Sequence, residues 1–402
     1  WEAARRRLAA SRRGPARGPA AVLAAGLAAD AGDAAAAMRL LDEAAAELDP
    51  FWAERARAQM ARLEGGVVGA WRERCARAAA TADPASRRRA LARWAALEID
   101  GEALARLRQE IGAAAGLLEE GAAPSFPEGL AGRLWRGGLR RAAVRWDPAG
   151  FPMRSAAEAL WSAQQLHAFG APDRGLRAAD AAWRIAGSDL PARAYPERLQ
   201  RAMNPLPFPE QTWRSAVESA VPWTLVSGVA REESRWDAAA ISGVGARGLM
   251  QLMPGTAAEV AARRGLPPPA LESLFDPELS LELGAHELGR LYGAFAGQPA
   301  PVAAAYNAGE AQARLWLAEC GTPCPSERYV VSISFGVTSR YARDVLAAAA
   351  AYADLYGPTP LLAPQEAGAP GPPAAPPGLT SGGTGSPRAA RPPRRATARS
   401  RR

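Results

Sequence analysis

Glu233 is the residue of this chain best placed to do acid–base chemistry. It closes an apolar stretch that begins near Pro222 and runs into Arg231-Glu232-Glu233-Ser234-Arg235-Trp236. With about 3.6 residues per helical turn, Pro222, Val226, Val229, Ala230 and Glu233 share one face of a predicted helix, and Glu232 points about 100° away. A carboxyl group at the end of a buried stripe resists ionisation, so it keeps its proton nearer neutral pH and can act as a general acid. The same pattern also suits an ordinary helix end with two solvated glutamates. Residues further along the chain decide between the two. Gly243, Gly245 and Gly248 punctuate the stretch from Ser242 to Pro254, where they permit tight turns and a close approach of ligand. Beyond it, Ala304-Ala305-Tyr306-Asn307-Ala308-Gly309 offers a phenol hydroxyl and an amide beside a turn.

Three blocks then combine: Glu233-Ser234, Gly248-Leu249-Met250-Gln251 and Ala305-Tyr306-Asn307. In this order and spacing they resemble the catalytic domain of the soluble lytic transglycosylases, goose-type-lysozyme-like enzymes that cut bacterial peptidoglycan. The stretch from Asp276 to Leu288 is similar to the family's helix between the second and third blocks, and the resemblance covers residues 206 to about 350. It implies cleavage of the β-1,4 bond between MurNAc and GlcNAc with formation of a 1,6-anhydro product, Glu233 acting first as acid and then as base. A lone carboxyl group is workable when the substrate's 2-acetamido oxygen supplies the second group. Glu232 and Asp237 are the only other carboxylates nearby, and Glu232 lies on another helix face.

By the same resemblance, the residues facing substrate are Ser242, Gln251, Met253, Tyr306, Asn307 and Tyr341. Their chemistry fits. Gln251 can hydrogen-bond sugar amides or hydroxyls, Tyr306 can hold Glu233 or the acetamido group, and Asn307 can fix its loop. Met253 can lie on a sugar's apolar face, although core packing suits it equally and suits Met250 better. One block departs from the family. In the stretch from Tyr329 to Ala342, Val331 and Val337 stand where glutamates are expected, Ser334 where proline is, and Ser339 where arginine is, while Tyr341 is retained. Two alternatives stay open: a lysozyme-like hydrolase of the same bond, and a catalytically weakened wall-binding scaffold.

The elements that must position these residues are helical. Amphipathic segments run from Met38 to Leu48, Trp52 to Leu63, Ala85 to Leu97, Glu102 to Leu118, Ala156 to Phe169 and Gly175 to Ile185, with turn signals such as Asp49-Pro50 and Gly65-Gly66 between them. No strand-like alternation of useful length interrupts them. The fold class is therefore all-α: an α-solenoid of helical hairpins over residues 1–205, a lysozyme-like catalytic domain over 206–357, and a disordered Pro/Arg-rich tail over 358–402. The prolines at 205, 207 and 209 forbid a continuous helix at the first boundary.

Composition narrows the partners. The chain has 402 residues and a formal charge of +8, but seven arginines crowd into the stretch from Arg388 to Arg402, leaving about +1 for the rest. That excludes a nucleic-acid-binding body and marks the tail for anionic wall or membrane surfaces. The expected partner of the folded part is the peptidoglycan glycan strand. No cofactor and no metal are expected, because His167 and His286 lack the spaced ligands a metal site needs. Cys320 and Cys324 can form a small disulfide in an oxidising compartment, in keeping with a periplasmic location, and Cys75 reads as a buried small side chain. The start at Trp1 reads as a fragment or processed form. Arg5-Arg6-Arg7 and the alanine-rich run from Ala20 to Ala29 read as part of a helical repeat rather than a signal peptide.

Overall fold

The structure, a computed structural model, describes residues 17–357 apart from 46–48, 64, 82, 98–100, 118–123, 127–128, 188–189 and 191. The described residues are all-α, with isolated bridges in place of strands. They lie in one compact unit. The expected tail at 358–402 and the basic run from Arg5 to Arg7 fall outside them.

The first part of the chain builds helices that pack on their neighbours in sequence. These are α1 (Arg17–Asp30), α2 (Ala34–Ala44), α3 (Pro50–Met60), α4 (Gly65–Ala79), α5 (Pro84–Leu97), α6 (Glu102–Ala115), α7 (Leu130–Arg136), α8 (Arg140–Trp146), α9 (Ala156–Ala168), α10 (Pro172–Ile185) and α11 (Glu197–Met203). Helix α1 pairs with α2, α4 with α5, α7 with α8 and α9 with α10. Local chemistry sets the starts: Asp33 accepts from the Ala36 amide at 2.9 Å, Asp49 from that of Trp52 at 3.0 Å, and Ser155 from that of Glu158 at 3.2 Å. The run from Ala20 to Ala29 lies within α1. Gly65-Gly66, read as a terminator, instead open α4, where Val68, Trp71, Cys75 and Ala79 form a buried face. Tertiary burial of that face outweighs the poor helix propensity of two glycines.

The second part comprises α12 (Pro209–Glu218), α13 (Trp223–Ser234), α14 (Pro254–Arg263), α15 (Pro277–Ala294), α16 (Pro299–Ala308), α17 (Glu310–Cys320), α18 (Ser326–Ser332) and α19 (Gly336–Tyr356). Proline occupies the first helical position of α12, α14, α15 and α16, where its missing N–H costs nothing. Helix α13 is buried almost all round: Leu225, Val226, Ser227, Gly228, Val229 and Ala230 are all covered. The expected single apolar stripe is therefore too narrow. Pro222 does not belong to it, since it is the exposed residue ahead of the helix. Gly228 lets α19 approach, because a Cβ there would stand 2.7 Å from the Val345 carbonyl oxygen.

The two parts are tied along α19 and the segment before α12. Tyr352 and Tyr356 donate to the carbonyls of Pro205 and Asn204, each at 2.8 Å, and Arg201 donates to that of Leu355 at 2.7 Å. Arg343 pairs with Asp49, and Arg235 with Asp180 at 2.7 Å. Cys320 and Cys324 form the expected disulfide between α17 and α18, and Cys75 is buried. Among the described residues no helix is long and apolar enough to cross a membrane.

Two glycine substitutions should have opposite signs. Gly228→Ala forces α13 off α19 and should lower unfolding free energy by about 1–3 kcal/mol. Gly69→Ala, in α4 with open space around its Cα, should raise it by roughly 0.5–1 kcal/mol through the helix term alone. Urea titrations of both variants would check this; a neutral Gly228→Ala would show that the crossing is not tight.

Candidate active site

Glu233 occupies the last turn of α13. The helix ends because Arg235 and Trp236 both take left-handed conformations, φ 55° and 66°, which non-glycine residues adopt only when held there. Here they are held: Arg235 by Asp180, and the buried Trp236 by an Nε1–H bond of 2.9 Å to the Tyr352 hydroxyl. Ser234, the second residue of the first block, is buried, and its hydroxyl donates to the Ala230 carbonyl at 3.1 Å.

The Glu233 carboxylate accepts one side-chain hydrogen bond, from the Tyr341 hydroxyl on α19 at 2.7 Å. Burial is the dominant influence and pushes its pKa up from 4.5 to about 7; the Tyr341 bond opposes this and the charge of Glu232 adds to it. Burial also raises the hydroxyls of Tyr341 and Tyr306 well above the usual tyrosine value, with the nearby Glu233 charge acting in the same direction. Both remain donors at any physiological pH. Glu232 has a different environment: it pairs with Arg231, whose Nε donates to the Met203 carbonyl at 3.1 Å. Glu232 and Arg231 help to line a cavity of about 1260 Å³ reaching Trp183 and Asp344, and Glu233 is not on its wall. The two adjacent glutamates thus face different surroundings, as the helical angle between them requires.

The loop after α13 folds on itself through bridges of Arg247 with Ile241 and Leu252. The Ser242 hydroxyl accepts from the Ala246 amide at 3.0 Å. Gln251 spends its side-chain amide within the loop, donating to the carbonyls of Ala240 at 3.1 Å and Gly248 at 2.9 Å, which leaves its own side-chain carbonyl to meet a ligand. Gly248 has φ 74°, and a Cβ would lie 1.9 Å from the Leu274 carbonyl oxygen, so no other residue fits. Met250 is buried, its amide donating to the Ser280 hydroxyl at 3.1 Å, whereas Met253 is exposed just ahead of α14. The Tyr306 hydroxyl donates to the Met250 carbonyl at 2.8 Å rather than to Glu233, and thereby ties α16 to this loop. Asn307 is exposed and accepts at Oδ1 from the Thr338 hydroxyl at 2.8 Å.

The structure thus brings Glu233, Tyr341 and Tyr306 together, with Gln251 and Asn307 attached through the loop and through α19. Ser242 and Met253 sit on the loop's own turn and exit. Three supporting residues carried no local signal in the sequence: Ser280, Thr338 and Arg231 each act through a partner on another element or on the backbone of one. In the divergent block, Ser334 accepts from Trp316 Nε1 at 3.0 Å and Ser339 donates to the Val330 carbonyl at 2.9 Å. Val331 and Val337 face solvent, 53% and 80% exposed.

Residues 212–326 match the family described as the transglycosylase SLT domain. The chain carries a domain of that family. A soluble lytic murein transglycosylase of Escherichia coli strain K12 is 34% identical over 159 residues, 39% of this chain and 25% of that protein. A putative soluble lytic murein transglycosylase of Haemophilus influenzae is 37% identical over 124 residues, 31% of this chain and 21% of that protein. The chain therefore aligns with about a quarter or less of the length of these relatives. Among solved structures, the 70 kDa soluble lytic transglycosylase of Escherichia coli is similar with a TM-score of 0.48 and 22% identity, covering 86% of this chain and 63% of that one. The lytic transglycosylase Slt of Pseudomonas aeruginosa gives 0.46 and 20%, covering 87% and 59%.

The SLT-domain glutamate should leave a signature in stability. Its folded pKa, about 7, lies above the unfolded 4.5, so the native state binds the extra proton and stability falls as pH rises between these values. Glu233→Gln removes that loss. The variant should match the wild type near pH 4 and exceed it by on the order of 3 kcal/mol above pH 8. Tyr341→Phe should move the Glu233 midpoint still higher, since it deletes the bond that favours the anion. Urea unfolding across pH and carbon NMR titration of the carboxyl would test both; a Glu233 midpoint near 4.5 would overturn the account.

Proposed function

We propose that the chain is a peptidoglycan lytic transglycosylase of the bacterial periplasm. Residues 1–205 would form a helical scaffold, residues 206–357 the catalytic domain, and residues 358–402 a tail outside the folded body. The observation that carries the reading is the setting of Glu233: half-buried, held by the Tyr341 hydroxyl at 2.7 Å, and with its pKa pushed up to about 7 by burial. At neutral pH a sizeable fraction of such a group is a carboxylic acid able to donate.

The reaction follows from that proton. Glu233 gives it to the glycosidic oxygen between MurNAc and GlcNAc as the C1–O bond breaks, and the 2-acetamido oxygen of MurNAc stabilises the cationic carbon. The carboxylate left behind accepts a hydrogen bond from Tyr341 and takes the proton of the C6 hydroxyl as that oxygen attacks C1. Acid is regenerated, and the products are a GlcNAc end and a 1,6-anhydroMurNAc end. Ser242, Gln251, Met253, Asn307 and Tyr306 are assigned to the binding surface, and Tyr341 to holding the acid beside it. The Gln251 carbonyl is the group free to accept from a sugar amide or hydroxyl. The names of the similar transglycosylases support this substrate class.

The solvent-facing Val331 and Val337 favour one competing reading, a wall-binding scaffold of reduced activity. Mass spectrometry of digested sacculi separates the outcomes. Anhydro-muropeptides are expected; reducing muropeptides would make the protein a hydrolase, and no products would make it a scaffold. Glu233→Gln should cut the rate about 100-fold or more, the scale of a lost general acid, whereas Glu232→Gln should change it far less. Equal losses would sink the assignment.

The tail carries seven arginines beyond residue 387, and we assign it contact with anionic surfaces of the envelope, weakened by salt. Truncation after Gly357 should leave cleavage of soluble glycan chains unchanged while lowering retention on sacculi at low salt. Loss of cleavage would move the boundary of the catalytic domain.

A further inference from the structure

The hairpin of α7 and α8 is unlike the rest of the surface. From Leu130 to Trp146 the chain holds five arginines and no acidic residue. Arg133, Arg136, Arg140, Arg141 and Arg145 are all exposed, and among the described residues none pairs with a carboxylate. Elsewhere exposed arginines are commonly paired, as Arg154 is with Glu158, Arg201 with Glu197 and Arg314 with Glu310.

The same hairpin exposes apolar groups. Its tip, Arg136-Gly137-Gly138-Leu139-Arg140-Arg141, is exposed throughout, and Leu139 is 58% exposed at the apex. Gly138, at φ 76°, makes the sharp turn, which closes with the Leu139 amide donating to the Leu134 carbonyl at 2.9 Å. At the far end of α8, Trp146 is 69% exposed with the Arg145 guanidinium 5.6 Å from its ring centroid. The hairpin is a fixed object. The Asp147 carboxylate accepts from the Ala131 amide at 2.9 Å, and Ala131, Ala143 and Val144 are buried. Beneath them Trp135 packs edge-on against Phe151 and Trp161.

We propose that this hairpin is a docking surface for an anionic phospholipid bilayer. Charge complementarity selects a polyanionic partner, since five arginines with no carboxylate partner among the described residues lie on seventeen residues, two of them stacked on tryptophan rings. The apolar groups select a lipid surface among polyanions. A leucine at a rigid apex and a tryptophan flanked by arginine gain by entering the headgroup–acyl boundary, and neither has use for a soluble, fully hydrated polymer. The surface belongs to the helical scaffold and does not depend on the chemistry assigned to Glu233.

Flotation of the full chain with phosphatidylglycerol–phosphatidylcholine vesicles tests it, with pure phosphatidylcholine vesicles and soluble polyphosphate as comparisons. Binding to the anionic vesicles is expected at low salt and should weaken at high salt. Arg136→Glu/Arg141→Glu, at exposed positions without a carboxylate partner among the described residues, should weaken it by about tenfold or more. Leu139→Ser/Trp146→Ser, which keeps every charge, should lose vesicle binding while polyphosphate binding is unchanged. Circular dichroism melts would verify that both variants fold. Three results would overturn the proposal: no vesicle binding by the wild type, charge-reversal variants that bind like the wild type because the C-terminal arginines suffice, or a Leu139/Trp146 variant that binds vesicles normally. The last would make the hairpin a general polyanion site.

Discussion

The hydrogen bond of 2.7 Å from Tyr341 to Glu233 spans α13 and α19, and it forms only if those helices lie close and in fixed register. Gly228 supplies the closeness, because the Val345 carbonyl occupies the space a Cβ would need. The burial that results is also what perturbs the acid. Two opposed effects meet at Glu233: burial disfavours the anion, and the Tyr341 donor favours it. Burial wins, since the pKa stands at about 7 rather than below 4.5. Packing and proton chemistry therefore have a common origin, and neither can be altered alone by loosening the crossing.

Helix α19 carries this constraint into the remainder of the fold. Its first half holds Thr338, which fixes Asn307, and Tyr341, which fixes Glu233. Its second half holds Tyr352 and Tyr356, which bond the carbonyls of Pro205 and Asn204. Between them Arg343 pairs with Asp49, the residue that also caps α3. A single aspartate thus starts a helix of the N-terminal part and braces the helix that orients the acid. The N-terminal part contributes to the site by fixing α19.

Much of this was legible in the sequence, and the gaps have physical causes. The prolines at 205, 207 and 209 mark the break between the two parts, because proline's fixed φ and missing N–H stop a helix from running through, and α11 does end at Met203 before α12 opens at Pro209. The face of Glu233 and its divergence from Glu232 follow from helical geometry. Gly65-Gly66 misled because local propensity yields to burial of Trp71 and Val68. The Tyr341 bond lies 108 residues from Glu233 along the chain, and no periodicity carries that distance. Tyr306 was legible as a site-edge phenol, yet its partner, the Met250 carbonyl, is a backbone atom that sequence does not distinguish from any other.

The divergent block beside Tyr341 separates two properties that could have changed together. Ser334 and Ser339 are each engaged locally, the exposed Ser334 accepting from Trp316 and the half-buried Ser339 donating to Val330. Val331 and Val337 turn outward into water. Burial, Tyr341 and Glu232 are the influences on the Glu233 pKa, and no residue from Val331 to Ser339 is among them. The acid is thus tuned from behind, by α13 packing and one phenol, while the divergent valines alter only an outward surface. A chain built this way can vary what that surface meets and leave the Glu233 carboxyl as it was.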